Sequence, residues 1–465
     1  MAQTPDTTPR MSTDEKARVV ARFGRHINRG QVKYLRAGHL DVLEGARTGV
    51  RFTDPASGRA MYDCFTSAGC FNVGRHNPAV LAALEDALTR YDMGSQHLLS
   101  QPKRALAAKL AALAPGDLDG VLFAAGGGDA VDCALKLARA ATGRPGVVST
   151  VKAYHGHTGF ALSANGKPHY RSYCEPLMPG FTFVPFNDLD AMEKTVGEDT
   201  AAVIVEPVQG EAGIFPASAE YLFGLRELCH TRGTLLIFDE IQTGFGRTGK
   251  LFACEHSGVV PDLMTVAKSL GGGLYPIAAT LHRKTPAIET FLEAHPEFHA
   301  THGGTDLGCV AGLAVLEYIE QHRLWERAEA RGRALRAALE ALRRENPRII
   351  REVRGLGLMA GIEYCHEFMG PMMSDALARH GVFAAYSGNA PQVMRFMMPI
   401  TVSEAELDGV IAAIRAAVRD MKTLLPAALL AARVPGVLPL LNSERVQTAL
   451  FGALRRIEDW TGRRA

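Results

Sequence analysis

Two apolar stretches that each end in a charged residue decide the fold. The first reads Leu235-Leu236-Ile237-Phe238-Asp239-Glu240, and the second reads Leu263-Met264-Thr265-Val266-Ala267-Lys268, followed by Ser269-Leu270-Gly271-Gly272-Gly273. Short apolar runs bounded by turn residues predict buried strands of a parallel sheet. Because open α/β sheets bind ligands at the carboxyl ends of their strands, we expect Asp239 and Lys268 to lie at one site.

Outward from these two stretches, short apolar strands alternate with helices. Candidate strands lie at 121–124, 146–150, 182–185, 201–205, 235–238 and 263–267. The alternation predicts an α/β fold in which helices cover both faces of a mostly parallel sheet. We expect a large domain at 76–325, a smaller α+β domain built from 1–75 and 326–422, and a helical C-terminal extension at 423–465.

The composition narrows the class of function. The 465 residues include 51 basic and 49 acidic side chains, which give a net charge of +2. A nucleic-acid binder needs a basic surface to neutralise phosphates, and this near-neutral balance argues against one. The eight cysteines show no CxxC pair or metal-ligand spacing, so we expect reduced thiols and no metal. The first residues lack the apolar core of a signal peptide, and prolines interrupt the apolar residues 424–441. We therefore expect a cytoplasmic protein that acts on small molecules, without a nucleic-acid or membrane partner.

A nucleotide-binding loop is one alternative interpretation of the region after Asp239. Residues 244–250 satisfy the pattern GxxxxGK. However, Leu251 stands where a magnesium-binding Ser or Thr belongs, and the loop follows the acidic strand instead of leading from a first strand into a helix. The missing magnesium ligand and the position of the loop after the acidic strand both argue against a phosphate-binding loop.

Three elements together indicate a different cofactor. Gly126-Gly127-Gly128-Asp129 lies between a strand and a helix, where free backbone N–H groups can bind a phosphate, although a simple tight connector has the same pattern. Lys268 ends an apolar strand, a placement that suits a Schiff-base lysine as well as a structural one. A phosphate cradle, a carboxylate and a buried lysine on neighbouring strand ends are what pyridoxal phosphate requires.

Longer motifs carry a resemblance to a known family. Residues 236–249 (LIFDEIQTGFGRTG), 268–276 (KSLGGGLYP), 205–213 (VEPVQGEAG) and 354–363 (RGLGLMAGIE) resemble the class III aminotransferases. The resemblance spans about residues 49–418. It implies pyridoxal-phosphate fold type I, with a seven-stranded, mostly parallel sheet in the large domain and a smaller α+β domain.

The resemblance also implies roles for individual residues in cofactor binding. Lys268 would hold the cofactor as a Schiff base and act as the general base, and Asp239 would pair with the pyridine nitrogen. The remaining cofactor-binding residues would be Gln242 at the ring hydroxyl, Ile241 beneath the ring, Tyr154 above it, Gly127 and Gly128 at the phosphate, Glu206, and Thr301 from a neighbouring subunit. The role of Thr301 implies a homodimer with shared active sites.

Substrate-side positions depart from the usual family pattern. His157 stands where many members carry a carboxylate-binding arginine, and Arg51 and Ala68 occupy positions of pocket tyrosines. Glu211 and Arg395 match a gate in which a glutamate masks an arginine until a carboxylate substrate binds. We therefore expect Glu211, Arg395, Arg51 and His157 at the substrate end.

The predicted reaction is amino-group transfer from an amino acid or amine to a 2-oxo acid, with 2-oxoglutarate or pyruvate as acceptor. The transfer would follow a ping-pong path through pyridoxamine phosphate. A racemase, epimerase or decarboxylase on the same fold remains an alternative, as does a non-catalytic pyridoxal phosphate binder. The sequence does not identify the donor.

Overall fold

The computed structural model describes residues 10–37 and 42–432 and is built around one large sheet. The α-helices are α1 (Thr13–His26), α2 (Arg29–Ala37), α3 (Thr66–Gly69), α4 (Pro78–Leu88), α5 (Gln101–Leu113), α6 (Gly127–Thr142), α7 (Gly159–Ala164), α8 (Pro168–Arg171), α9 (Leu189–Thr195), α10 (Ala219–Arg232), α11 (Pro286–Ala294), α12 (Asp306–Gln321), α13 (Leu324–Glu345), α14 (Met369–Arg379) and α15 (Glu404–Ala432). The strands are β1 (Arg47–Thr48), β2 (Arg51–Thr53), β3 (Ala60–Asp63), β4 (Gly120–Ala124), β5 (Gly146–Thr150), β6 (Phe181–Val184), β7 (Thr200–Val205), β8 (Val208–Gln209), β9 (Phe215–Pro216), β10 (Leu235–Asp239), β11 (Leu263–Val266), β12 (Ala278–His282), β13 (Ile350–Leu356), β14 (Met359–Tyr364), β15 (Val382–Phe383), β16 (Ala385–Tyr386) and β17 (Val393–Phe396).

The large sheet confirms the predicted seven strands in a mostly parallel arrangement. Its order is β4-β12-β11-β10-β7-β5-β6, and every pair is parallel except the two that β12 makes. Strands β7, β11 and β12 are buried along their whole length, as expected when helices cover both faces of a sheet. The antiparallel strand β12 is absent from the candidate strands, because its sequence, AATLH, carries little of the Val, Ile and aromatic signal of a strand.

The segments 1–75 and 326–422, which the sequence predicts to form a smaller domain, contribute strands that pair with each other. Strand β3 near the N-terminus pairs in parallel with β15 from the C-terminal part, and β13, β14, β17 and β16 form a second four-stranded sheet. The expected boundaries after 325 and 422 fall inside helices, because α13 begins at Leu324 and α15 continues to Ala432. The remainder of the predicted extension, 433–465, lies outside the described residues. In the described part, no helix combines the length and apolarity that crossing a bilayer requires.

Arg247 joins the two domains through a fully buried guanidinium. Its Nη1 donates to the carbonyls of Leu358 and Met398, and its Nη2 donates to Asn72 Oδ1. Gly357, in the β13–β14 turn, packs so closely on this region that a Cβ there would lie 2.3 Å from the Thr248 carbonyl carbon. The GxxxxGK stretch thus forms part of a domain contact, while its lysine, Lys250, is exposed.

Replacing Arg247 tests this contact. We expect Arg247→Ala to lower the free energy of unfolding by about 3–5 kcal/mol, because it leaves three buried acceptors without a donor. Chemical denaturation measures the effect, with Arg333→Ala as control, since Arg333 is 63% exposed in its ion pair with Glu329. Equal destabilisation by the two substitutions would contradict the assigned role.

Candidate active site

A cavity of about 500 Å³ lies at the carboxyl edge of the large sheet. Because β10, β7, β5 and β11 are parallel, the residues that follow them meet at this edge. The cavity is lined by nine of the residues that the sequence predicts for the site: Lys268, Asp239, Gly127, Gly128, Tyr154, Glu206, Ile241, Gln242 and Glu211.

Lys268 begins a 3₁₀ turn, Lys268–Gly271, directly after β11. Its φ is +46°, a left-handed conformation that costs a non-glycine residue energy. Strained residues of this kind are concentrated at functional sites, where the surrounding fold holds them in place.

Asp239 is held by a network that fixes both of its oxygens. Its Oδ2 lies 2.7 Å from His155 Nδ1, while its Oδ1 accepts the Ile241 N–H at 3.1 Å and the Thr265 hydroxyl at 3.2 Å. The carboxylate is 4% exposed. Sequence analysis assigned no role to His155, although it directly follows Tyr154 in a motif that already marked this loop.

The glycine cluster forms an anion cradle. Helix α6 begins at Gly127, and its N-cap, Gly126, makes no side-chain capping bond, so the first backbone N–H groups are available to a ligand. A Cβ on Gly127 would lie 3.1 Å from the Ile241 side chain, and one on Gly128 would lie 2.8 Å from the Thr158 hydroxyl. The space beside this helix end therefore depends on the absence of side chains.

Gln242 presents an unsatisfied buried oxygen. Its Nε2 donates to the Ala68 carbonyl at 3.0 Å, whereas its Oε1 is buried and has no hydrogen-bond partner within the described part of the chain. Ala68, which accepts this bond, lies in a strained segment, because Thr66, Ser67 and Ala68 all have φ between +50° and +59°. A buried acceptor without a donor calls for a ligand group such as a ring hydroxyl.

Glu206 connects two loops of the cavity wall. Its carboxylate accepts the Tyr154 N–H at 3.1 Å and the Gly210 N–H at 3.0 Å. Burial raises the pKa of Glu206 to about 7, and the neighbouring Asp239 charge acts in the same direction while His155 opposes it. Both oxygens of Glu206 are thus engaged with backbone groups.

Glu211 and Arg395 form an ion pair at the wall of the same cavity. Glu211 lines the cavity, whereas Arg395 is not one of the lining residues. Arg395 Nη2 also approaches the Tyr386 carbonyl at 3.5 Å, and its guanidinium lies 5.5 Å from the Phe65 ring centroid. The structure therefore shows the arginine masked by the carboxylate.

Besides Arg395, three predicted residues lie outside the cavity lining in this chain. The guanidinium of Arg51 lies 4.2 Å from the Tyr62 ring centroid and bonds the Tyr62 hydroxyl, because paired residues of antiparallel strands share one face. Arg51 is thus not among the residues that line the cavity of this chain. His157 is exposed, and its ring centroid lies 5.6 Å from that of Tyr154 and 5.5 Å from that of Tyr170. Thr301 is exposed in a turn.

These features fit pyridoxal phosphate. The uncapped start of α6 suits the phosphate, the Gln242 Oε1 suits a ring hydroxyl, and the anchored Asp239 carboxylate suits a protonated ring nitrogen. Lys268 borders the same cavity, and its side-chain amine is the kind of group that binds an aldehyde.

Comparisons with known proteins agree with this assignment. The family model described as Aminotransferase class-III matches residues 37–418. An uncharacterized aminotransferase of Archaeoglobus fulgidus is 40% identical over 394 residues, which cover 84% of this chain and 92% of that protein.

Solved structures give the same result. An (S)-enantioselective omega-transaminase from Thermomicrobium roseum is 30% identical with a TM-score of 0.79, covering 87% of this chain and 98% of the other. The ornithine aminotransferase from Toxoplasma gondii, described with partial occupancy of pyridoxal phosphate, is 29% identical with a TM-score of 0.75, covering 81% and 90%.

Among the reactions that the sequence left open, these relatives support transamination and not racemisation or decarboxylation. The cavity, its lysine and its carboxylate agree with that chemistry. The chain belongs to the class III aminotransferases, which are pyridoxal-phosphate-dependent enzymes of fold type I.

Proposed function

We propose that this aminotransferase takes the amino group of an ω-amino donor and delivers it to a dicarboxylic 2-oxo acid, with 2-oxoglutarate as the first candidate. The observation that carries the proposal is the Glu211–Arg395 ion pair in the cavity wall. With the pair closed, the cavity presents a carboxylate that favours a donor with a neutral or cationic distal end. With the pair open, Arg395 becomes available to a carboxylate of the acceptor.

Other residues that line the cavity have separate roles in catalysis. Lys268 would hold the cofactor through its amine and would serve as the general base for the proton at the substrate carbon. Asp239, oriented by His155, would keep a ring nitrogen protonated, and the backbone N–H groups at the start of α6 would bind the phosphate. When bound, pyridoxal phosphate supplies the electron sink that makes the substrate proton acidic. Tyr154 and Ile241, which line the cavity, would pack against the ring and exclude water from it.

A homodimer is part of the proposal. Thr301 is exposed in this chain, and the residues beside it form an apolar patch: Met93 is 48%, Leu98 71% and Leu99 105% exposed. The patch is tied to the Thr301 turn through the His97–His299 ring contact and the bond from the Asp306 N–H to the Met93 carbonyl. An exposed apolar patch of this kind is typical of a protein interface, which supports delivery of Thr301 to the partner's phosphate site.

We also propose that the protein is cytoplasmic. Its support is that all eight cysteines are free, which is typical of a reducing compartment.

Lys268 provides the direct test of the site. We expect Lys268→Ala to lose the visible absorption band of the Schiff base and to lower kcat by at least about 10²–10⁴-fold, the contribution typical of a general base. Lys250→Ala is the matched control, since Lys250 is exposed and belongs to the rejected GxxxxGK loop. Loss of activity in Lys250→Ala with Lys268→Ala intact would reverse the assignment.

Arg395 tests the substrate end. We expect Arg395→Ala to raise the KM for 2-oxoglutarate by about 10- to 100-fold, because a charged hydrogen bond to the carboxylate is lost. Arg351→Ala, in which a 72% exposed arginine is removed, serves as control. An unchanged half-reaction of Arg395→Ala with glutamate would show that this residue does not bind the carboxylate.

Leu99 tests the dimer. We expect Leu99→Asp to shift the particle mass from dimer to monomer in light scattering and to weaken pyridoxal phosphate binding, because Thr301 no longer reaches its neighbour. Phe223→Asp changes a similarly apolar residue, 53% exposed on α10, and is expected to leave the mass unchanged. A wild-type protein that is monomeric at working concentration would refute the shared site.

A further inference from the structure

A short segment between β16 and β17 crosses over the Glu211–Arg395 pair. Within residues 387–389, Ser387 Oγ and the Asn389 N–H donate to the Glu211 carbonyl at 2.8 and 3.2 Å. The Gly388 N–H donates to Glu211 Oε2 at 3.3 Å. This segment, which we call the latch, therefore binds both the backbone and the carboxylate of the residue that masks Arg395.

The latch belongs to the small domain but is fastened to the large one. Lys167 Nζ donates to the Gly388 carbonyl at 2.7 Å, and Asn389 Nδ2 donates to the Lys152 carbonyl at 2.8 Å. Among the described residues, no carboxylate lies within ion-pair distance of Lys167. Its amine therefore has the Gly388 carbonyl as its polar partner there. The latch also leaves little free space, because a Cβ on Gly388 would lie 3.0 Å from the Tyr170 hydroxyl.

The closed gate is therefore supported by more than one ion pair. Lys167 holds the Gly388 carbonyl on one side of this residue, and on the other side the Gly388 N–H holds Glu211 Oε2 while Glu211 Oε1 binds Arg395. Swinging Glu211 away from Arg395 breaks its bond to Gly388. A stronger hold on Gly388 therefore stabilises the closed gate relative to the open one.

We propose that Lys167 is a positioning residue that sets the balance between the closed and open gate, and through it the preference between amine and carboxylate substrates. The proposal rests on the gate of the proposed function. A ligand that binds only the open state has an apparent affinity that depends on how often that state is populated. Weakening the latch raises that population and so favours carboxylate ligands.

The test uses holoenzyme and glutarate, a dicarboxylate that cannot accept an amino group. In Lys167→Met, calorimetry is expected to show glutarate binding about fivefold tighter, the size expected from one lost hydrogen bond. Lys167→Arg keeps a donor and is expected to bind like the wild type. Lys194→Met, which removes an exposed lysine on α9, is the matched control and is expected to cause no change.

Hydrogen exchange supplies a readout independent of ligands. The Gly388 amide is expected to exchange faster in Lys167→Met, and Asn389→Ser, which removes the bond to Lys152, is expected to act in the same direction.

Glutarate binding that is unchanged or weaker in Lys167→Met overturns the latch; weaker binding would instead assign the lysine charge to attracting the anion. If Arg395→Ala leaves glutarate binding intact, the gate itself fails, which distinguishes the two hypotheses.

Discussion

Parallel pairing of β10 with β7 and β11 is the constraint on which the site depends. Phe238 pairs with Val205 and Asp239 with Thr265, so that Glu206, Asp239 and Lys268 leave the sheet at one edge. A slip of one residue would turn every side chain of a strand to the opposite face. Strands buried on both faces do not tolerate such a slip, and the register of an apolar core thereby positions charged groups of a catalytic site.

Residues with unfavourable backbone conformations border the cavity. Lys268 and Ser67 line it, and Thr66 and Ala68 flank Ser67 in the chain; all four have φ in the left-handed region. The second group is anchored by bonds from the Thr66 N–H to Asp63 at 2.6 Å and from the Thr66 hydroxyl to the Met397 carbonyl at 2.6 Å. Contacts within the smaller domain thus hold this strained segment beside the cavity.

Two of the contacts between the domains differ in character. Arg247 is fully buried and bonds fixed backbone carbonyls and an amide, which makes that contact permanent. The Glu211–Arg395 pair with its latch lies at the cavity, where a substrate carboxylate competes for the arginine. A rigid contact and an exchangeable one are what an enzyme needs if one site is to accept substrates of different charge.

Local patterns in the sequence determined the α/β alternation and the residues at the strand ends, because hydrophobic periodicity and glycine turns are encoded over a few neighbouring residues. The family motifs placed Lys268, Asp239 and the glycine cradle in the same way. Only the tertiary structure decided the antiparallel β12, the His155–Asp239 bond, the position of Arg51 on Tyr62 and the link from Lys167 to Gly388. Some of these contacts join residues that are distant in the chain, and others depend on which face of a strand a side chain occupies. Local sequence determines neither, because both follow from the packing of the whole fold.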